Sequence, residues 1–260
     1  MRGLGYLEDL ADPRDKKIDT DLPLGGTAPE VADELDRYVF SILDQGQSQA
    51  CVGFSTGQGL RVRWGKRAST QSPVAVEQPS SAFIWWLARQ THNAEERNAP
   101  TYIREAFKRI RAVGIAPESE CSSRNLDWNF ADKPTPAAFR AAFDRKSPTA
   151  YYRIVNGDAD FFVDQFKRAI ASGFPIVFGT SIPRSFFDWS GPKPYDDLDL
   201  NVEGGHAMLA TSYDRDGVRG PNSWGRNWGN NGWHFFSWRF VGARFRDCWA
   251  VDAPPMKVKS

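Results

Sequence analysis

The spacing of apolar residues changes about two-thirds of the way along the chain. From Ala82 to Gln90 the run through Phe83, Ile84, Trp85, Trp86 and Leu87 is apolar almost all round, which predicts a buried helix capped by Ser80 or Ser81. Ile103, Ala106, Phe107, Ile110 and Val113 recur at helical spacing and predict a second helix, capped by Thr101 and stopped by Gly114. Thr135-Pro136 reads as cap and first-turn proline of a helix reaching Phe143. Asp158 or Asp160 opens another, through Phe162, Phe166 and Ile170 to Gly173. Beyond it the texture is that of strands, at Ile176 to Phe178, Ala207 to Tyr213 and Gly232 to Trp238, with a turn from Asp214 to Gly217 and a long loop over 183–204.

The pattern therefore predicts an α+β chain, helical first and strand-rich last. Residues 1–28 carry turn chemistry at Asp12-Pro13-Arg14-Asp15 and Gly25-Gly26 and read as an N-terminal arm strapped onto the body. A short helix is expected within 29–40. The expected division is an arm over 1–28, a helical unit over 29–150 and a β-rich unit over 151–260. The stretch after Cys51 conflicts with helix formation, because Gly53, Gly57 and Gly59 each cost about 1 kcal/mol relative to Ala. Such a conflict marks a close-packed or functional segment.

Composition narrows the classes. With 260 residues, 41% hydrophobic and 25% charged, the chain has material for a sizeable core, and its net charge of +1 gives no reason to expect a nucleic-acid partner. No stretch is long and apolar enough to span a membrane, and the first residues lack the apolar region of a secretory signal. The expected location is cytoplasmic as synthesised, with any export by a non-classical route. Three cysteines are too few for a disulfide framework; Cys121 and Cys248 are free to pair or not, and a reducing compartment is the simpler reading. Nothing calls for a cofactor or a metal.

Three stretches hold candidate chemistry: Asp44 to Ser55 around Cys51, Gly204 to Ala210 around His206, and Pro221-Asn222-Ser223-Trp224-Gly225. Cys51 follows a polar, glycine-containing turn and opens a possible helix, where a thiolate is favoured if an imidazole stands near. Of three histidines, His92 sits in a polar run and His234 between aromatic strand residues, leaving His206. If the strands on either side of the 214–217 turn pair 213 with 218, His206 falls opposite position 225, three residues past Asn222. A bend or bulge is needed to bring the two together. The set is chemically coherent. Cys51 attacks a carbonyl, His206 moves the proton, Asn222 orients the imidazole, and the Gln45 amide with the Cys51 N–H receives the developing oxyanion.

These residues resemble the papain-like cysteine peptidases, in which a Gln stands six residues before the catalytic Cys and a His sixteen before the Asn of Asn-Ser-Trp-Gly. Gln45, Cys51, His206 and Asn222 keep both spacings, and Trp228-Gly229-Asn230-Asn231-Gly232 keeps the glycine-tryptophan pattern that follows. Gly5-Tyr6-Leu7, Asp12-Pro13-Arg14-Asp15 and the 80–117 stretch look like bacterial members. The resemblance implies a papain-like two-lobed fold, one lobe helical and one β-rich, with the cleft between them. It implies the four catalytic roles above, substrate contact at Gly205 and Trp224, and shielding of the His–Asn bond by Trp224. It also implies a protein or peptide substrate, with room for an inhibitor or immunity protein as partner.

Several features depart from the family pattern. The usual Cys-Gly-Ser-Cys-Trp reads Ser48-Gln49-Ala50-Cys51-Val52 here. Only 44 residues precede Gln45, too few for a long inhibitory prodomain, and Ala99-Pro100-Thr101 stands where paired glycines are expected. The acidic loop of Asp196, Asp197, Asp199 and Glu203 would favour basic substrates, or be plain solvated surface. Two other readings stay open: a cell-wall amidase or transferase, and a silent homologue that binds without cutting.

Overall fold

In the computed structural model, which describes residues 2–69, 76–124, 126–146, 149–155 and 157–254, helices dominate the first half and strands the second. The order is β1 (Tyr6–Leu7), a 3-10 turn (Glu34–Tyr38), α1 (Cys51–Ala68), α2 (Ser81–Arg89), a 3-10 turn (Gln90–His92), β2 (Thr101–Tyr102), α3 (Ile103–Val113), α4 (Leu126–Asn129) and α5 (Pro136–Asp144). There follow β3 (Ala150–Arg153), α6 (Ala159–Ala171), β4 (Ile176–Pro183), a 3-10 turn (Arg184–Asp188), β5 (Val202–Ala210), β6 (Ser212–Tyr213), β7 (Gly217–Pro221), β8 (Trp233–Ser237), α7 (Trp238–Arg244) and β9 (Phe245–Asp252).

The caps behave as the side chains dictate. Ser80, Thr135 and Asp158 each accept from the backbone N–H three residues on, fixing the starts of α2, α5 and α6. Thr101 does not cap α3. It lies in β2, its N–H given to the Gly5 carbonyl, and α3 begins after Tyr102 without a side-chain cap. Tertiary pairing has taken the donor that local preference would have kept. The stretch expected to be helical within 29–40 is only the single 3-10 turn.

The glycines of α1 resolve the conflict in its sequence. A Cβ at position 53 would meet the Ser81 carbonyl and Trp85 of α2, and one at 59 would stand 3.0 Å from Val177 and 3.2 Å from Leu209 of β4 and β5. The helix is gripped between a second helix and a sheet, so it is buried along nearly its whole length. Packing on two sides outweighs the roughly 1 kcal/mol that each glycine costs locally.

The sheet behind α1 has the order β3-β9-β4-β5, all neighbours antiparallel, and a second sheet has the order β6-β7-β8. One core runs through both helices and sheets, from Cys51, Leu60 and Ile84 to Val177, Leu209 and Trp249. Edge-on aromatics tie the sheets together: Phe236 of β8 meets Phe178 of β4 at 6.2 Å and Phe245 of β9 at 5.4 Å, while Phe178 and Phe245 stack on each other at 3.8 Å. The central position of β9 could not be read from its sequence, because its last-strand residues pair with β3, some hundred residues earlier. All three cysteines are unpaired.

Candidate active site

Cys51 is the first residue of α1, and no acidic residue occupies the helix's first turn, so the unsatisfied N–H groups there act on the sulfur without competition. The loop before it is held from three directions. The Gln45 N–H donates to the Ser223 carbonyl, the Gln47 N–H to Asp127 Oδ1 at 2.6 Å and the Gln49 N–H to Asn98 Oδ1 at 2.8 Å. Gly46, with φ of 60°, makes the turn, and its N–H is taken by Asp44 Oδ1.

His206 comes from β5, opposite Thr180 of β4, and Asn222 follows β7. The pairing of Tyr213 with Val218 is as the turn requires. The three-residue gap closes because β5 and β6 belong to different sheets, so the ladder breaks at Thr211 and the register is not carried back to His206. His206 Nε2 and Asn222 Oδ1 lie 2.8 Å apart. The Ser223 N–H also donates to that oxygen at 2.7 Å, which makes Oδ1 the acceptor and puts the imidazole proton on Nε2. Nδ1 is then a bare lone pair, and it is buried without a partner.

The next residue along β5 brings the sulfur in: the Ala207 N–H donates to Cys51 Sγ at 3.4 Å. Cys51, His206 and Asn222 thus meet in one place, although 155 residues separate the thiol from the imidazole. Trp224 stacks on the His206 ring, centroids 4.6 Å apart and planes 25° apart, and is itself wedged by Phe187 and Trp228. The ring covers the imidazole, the position in which a shield for the His–Asn bond is expected. Val52, in place of the family's usual tryptophan, is simply buried core.

Gln45 joins them. Ser223 Oγ donates to its Oε1 at 2.6 Å, so Nε2 is the end that faces the site, donating to the Ser48 carbonyl at 2.6 Å and the Gly3 carbonyl at 3.2 Å. Ser223 was seen in the sequence only as part of a motif. Its double task, backbone to Asn222 and hydroxyl to Gln45, ties the two orienting side chains together.

Cys51 and His206 are both fully buried. Desolvation pushes the Cys51 thiol up to about 12, against the pull of backbone N–H donors from Ala207, Gly5 and Val52. Desolvation likewise lowers His206 to about 4, with the Asn222 hydrogen bond opposing it. In this arrangement thiol and imidazole are both neutral.

The N-terminal segment lies against this place. The Gly5 N–H donates to the Gly205 carbonyl at 3.0 Å, and the Trp224 indole N–H donates to the Gly3 carbonyl at 3.2 Å. Gly205 and Trp224, the two positions expected to touch substrate, are thus engaged by residues 3 and 5. The Thr101 N–H, beside the Ala99-Pro100 stretch, is given to the Gly5 carbonyl.

The remaining candidates lie elsewhere. His234 is buried with Nε2 2.8 Å from the Leu209 carbonyl, and His92 bonds the Pro100 carbonyl at 3.1 Å. Asp196 pairs with Arg239, Asp197 accepts from Ser185 and the Asp199 N–H, and Asp199 accepts from the Asn201 N–H. These carboxylates organise their own loop. Among the described residues no group of three or more His, Cys, Asp or Glu side chains is arranged to hold a metal, and no helix is long and apolar enough to cross a membrane.

No family model matches the chain. A protein of Acanthamoeba polyphaga mimivirus described as peptidase C1-like is 28% identical over 264 residues, spanning 92% of this chain and 83% of its own. Among solved structures, xylellain, a cysteine protease from Xylella fastidiosa, superposes with a TM-score of 0.81 at 24% identity, covering 98% of this chain and 97% of its own. The digestive procathepsin L 3 of Tenebrio molitor larval midgut gives 0.69 at 18% identity, covering 96% and 75%. The cathepsin B proenzyme of Trypanosoma congolense gives 0.71 at 17%, covering 98% and 87%. The fold is papain-like, and in sequence the chain is similar to a peptidase C1-like protein.

Proposed function

We propose that the chain is a cysteine endopeptidase that hydrolyses peptide bonds of proteins, with Cys51 as nucleophile, His206 as general base and acid, Asn222 as orienter and Gln45 as oxyanion donor. The observation that carries this reading is the 3.4 Å hydrogen bond to Cys51 Sγ from the Ala207 N–H, next in the chain to His206, whose buried Nδ1 has no hydrogen-bond partner.

Nδ1 takes the thiol proton, and the thiolate adds to the carbonyl carbon of the substrate. The oxyanion receives hydrogen bonds from Gln45 Nε2 and the Cys51 N–H. As the tetrahedral intermediate collapses, the C–N bond breaks and Nδ1 returns its proton to the departing amine, leaving a thioester. Water then attacks the thioester and gives a proton to Nδ1. The C–S bond breaks, the acid is released and the proton goes back to the sulfur. Asn222 is neutral, so it fixes the imidazole plane through Nε2 without supplying a charge that would hold the ring protonated.

Casein digestion followed by mass spectrometry of the fragments tests the reading. Cuts at internal bonds by the unaltered chain, or by Gly5→Ala, in which a methyl group forces residue 5 off the sulfur, are expected to vanish in the same chain carrying Cys51→Ala. Absence of cuts in both active-cysteine chains, or cuts that survive Cys51→Ala, would overturn it.

A further inference from the structure

The turn motif Asp12-Pro13-Arg14-Asp15 walls a hollow of about 400 Å³. Its other sides are α3, at Lys108 and Arg111, and the start of β3, at Thr149 to Tyr151. Pockets for small molecules begin at about 300 Å³, so the space is sufficient. Backbone pairing fixes the arm beside β3. The Arg153 N–H donates to the Lys16 carbonyl at 2.7 Å, and the Ile18 N–H to the Arg153 carbonyl at 3.0 Å.

Charge around the hollow is unbalanced. Four cations, Arg14, Lys16, Lys108 and Arg111, line it against two carboxylates, Asp12 and Asp15. Both carboxylates are already taken. Arg14 grips Asp12 through Nε at 2.9 Å and Nη2 at 2.8 Å. Asp15 Oδ2 accepts from Arg104 at 2.9 Å and from Arg153 at 3.3 Å, two arginines outside the lining. Lys108 pairs with Glu105 at 2.9 Å, a surface pair of the kind that contributes little. Among the described residues, the side chains of Lys16 and Arg111 have neither a carboxylate nor any other hydrogen-bond partner. In a chain whose net charge is only +1, two unanswered cations at one hollow are a local excess.

The neutral groups of the lining add donors. The Tyr151 ring is held in place, stacked on Phe107 with centroids 4.9 Å and planes 14° apart, and set edge-on to Trp249. Burial raises its pKa, so the hydroxyl keeps its proton at neutral pH, and the Arg111 charge acts on it. Neither that hydroxyl nor the one on Thr149 has a hydrogen-bond partner among the described residues. What is left unsatisfied around the hollow can donate, and two of the donors are charged. The molecule that completes such a set brings negative charge and several acceptor oxygens. A lone carboxylate offers two oxygens. A tetrahedral oxyanion offers three or more, enough to meet an ammonium, a guanidinium fork and a hydroxyl together.

We propose that this hollow binds a small molecule bearing a phosphate or sulfate group, with Lys16 and Arg111 as charged anchors and Tyr151 and Thr149 as neutral donors. The site shares no residue with the catalytic set, so it stands or falls apart from the peptidase reading.

Calorimetric titration of the full chain with pyrophosphate, and separately with sulfate, tests this. It is run at about 10 mM salt, where charges act over about 30 Å, and at about 150 mM, where they act over about 8 Å. Saturable binding of one anion per chain is expected, weaker at the higher salt. Lys16→Ala and Arg111→Ala should each lower the affinity about tenfold, and Arg111→Glu should abolish binding. Tyr151→Phe should lower it several-fold while keeping the stacked ring. Lys16 and Arg111 are exposed, so their variants are expected to fold. Lys133→Ala, which removes an exposed cation elsewhere on the surface, should leave the affinity unchanged. Tighter binding of pyrophosphate assigns a phosphorylated ligand, and tighter binding of sulfate a sulfated one. Absence of saturable binding of either anion would overturn the site. So would an affinity that survives both Lys16→Ala and Arg111→Ala, or one that falls as far in Lys133→Ala as in Arg111→Ala.

Discussion

Two buried ionisable clusters lie on either side of Gly5, and they meet burial in opposite ways. Around Cys51 and His206 every partner is neutral: the Asn222 amide, the Trp224 ring and backbone N–H groups. Around Asp247 the partners are Arg153, the Tyr6 hydroxyl and the Asp9 backbone, so a full charge is kept in place by ion pairing and donated hydrogen bonds. A charged pair that must form and vanish during each turnover is better served by neutral surroundings and adjustable solvent. A charge that must stay put is better served by a fixed cation. The first region is built to switch and the second to hold.

His206→Ala should produce the largest change if the first region works as described. It removes the base proposed to take the thiol proton, and peptide hydrolysis should fall by about a thousandfold or more while Cys51 stays accessible in a Gly5→Ala background. A smaller loss would mean that some other base serves the thiol. Gln45→Ala should cost roughly a hundred- to a thousandfold in kcat, the usual loss for one oxyanion donor, with KM little changed. If KM alone moved, Gln45 would be a binding residue. Asn222→Ala should cost less than either, because the imidazole keeps its stacking on Trp224 and loses only its fixed orientation. It should also alter the pH profile of kcat/KM, since the Asn222 hydrogen bond favours the charged ring.

The smallest expected effect probes the second region. Burial and the neighbouring Asp247 raise Asp9 to about 7, with Arg104 and Arg153 opposing. Asp247 and Tyr6 face it from one side and the two arginines from the other, with Asp15 behind both arginines and Glu8 adjacent. Asp9 Oδ1 is buried without a partner, a place for the proton. The folded state therefore binds this proton more tightly than the unfolded chain does. Its contribution to holding the segment is complete below the ordinary carboxylate range, declines as pH rises, and is gone above about 7. Cys51 alkylation, corrected for thiolate content, should rise several-fold between pH 5 and 7.5, and Asp9→Asn should flatten the rise. A rise of the same size in Asp9→Asn would assign it to another group.

Much of the site could be read from spacing, and much of what governs it could not. Gln45 with Cys51, and His206 with Asn222, keep the six- and sixteen-residue spacings of the family they resemble, so their grouping was legible by resemblance; nothing in the spacing alone joined the two pairs, which stand 155 residues apart. The helices with side-chain caps were legible for a local reason. Thr101 was misread because the segment that claims its N–H lies some ninety-five residues away. The roles of Gly3 and Gly5 were hidden because a glycine needed for close approach looks like a glycine in any turn; only coordinates reveal what a Cβ would strike. Asp247 was invisible because its partners, Tyr6, Asp9 and Arg153, are scattered along the chain. Ser223 shows the middle case, visible as part of a motif but without the reason for its place in it.

The most direct measurement is covalent mapping with a peptidyl epoxide on the Gly5→Ala chain, with and without His206→Ala. The epoxide adduct should fall on Cys51 and should depend on His206. An adduct on Cys121 or Cys248, or one on Cys51 that forms equally fast without the imidazole, would contradict the claim that sulfur 51 and imidazole 206 share a proton.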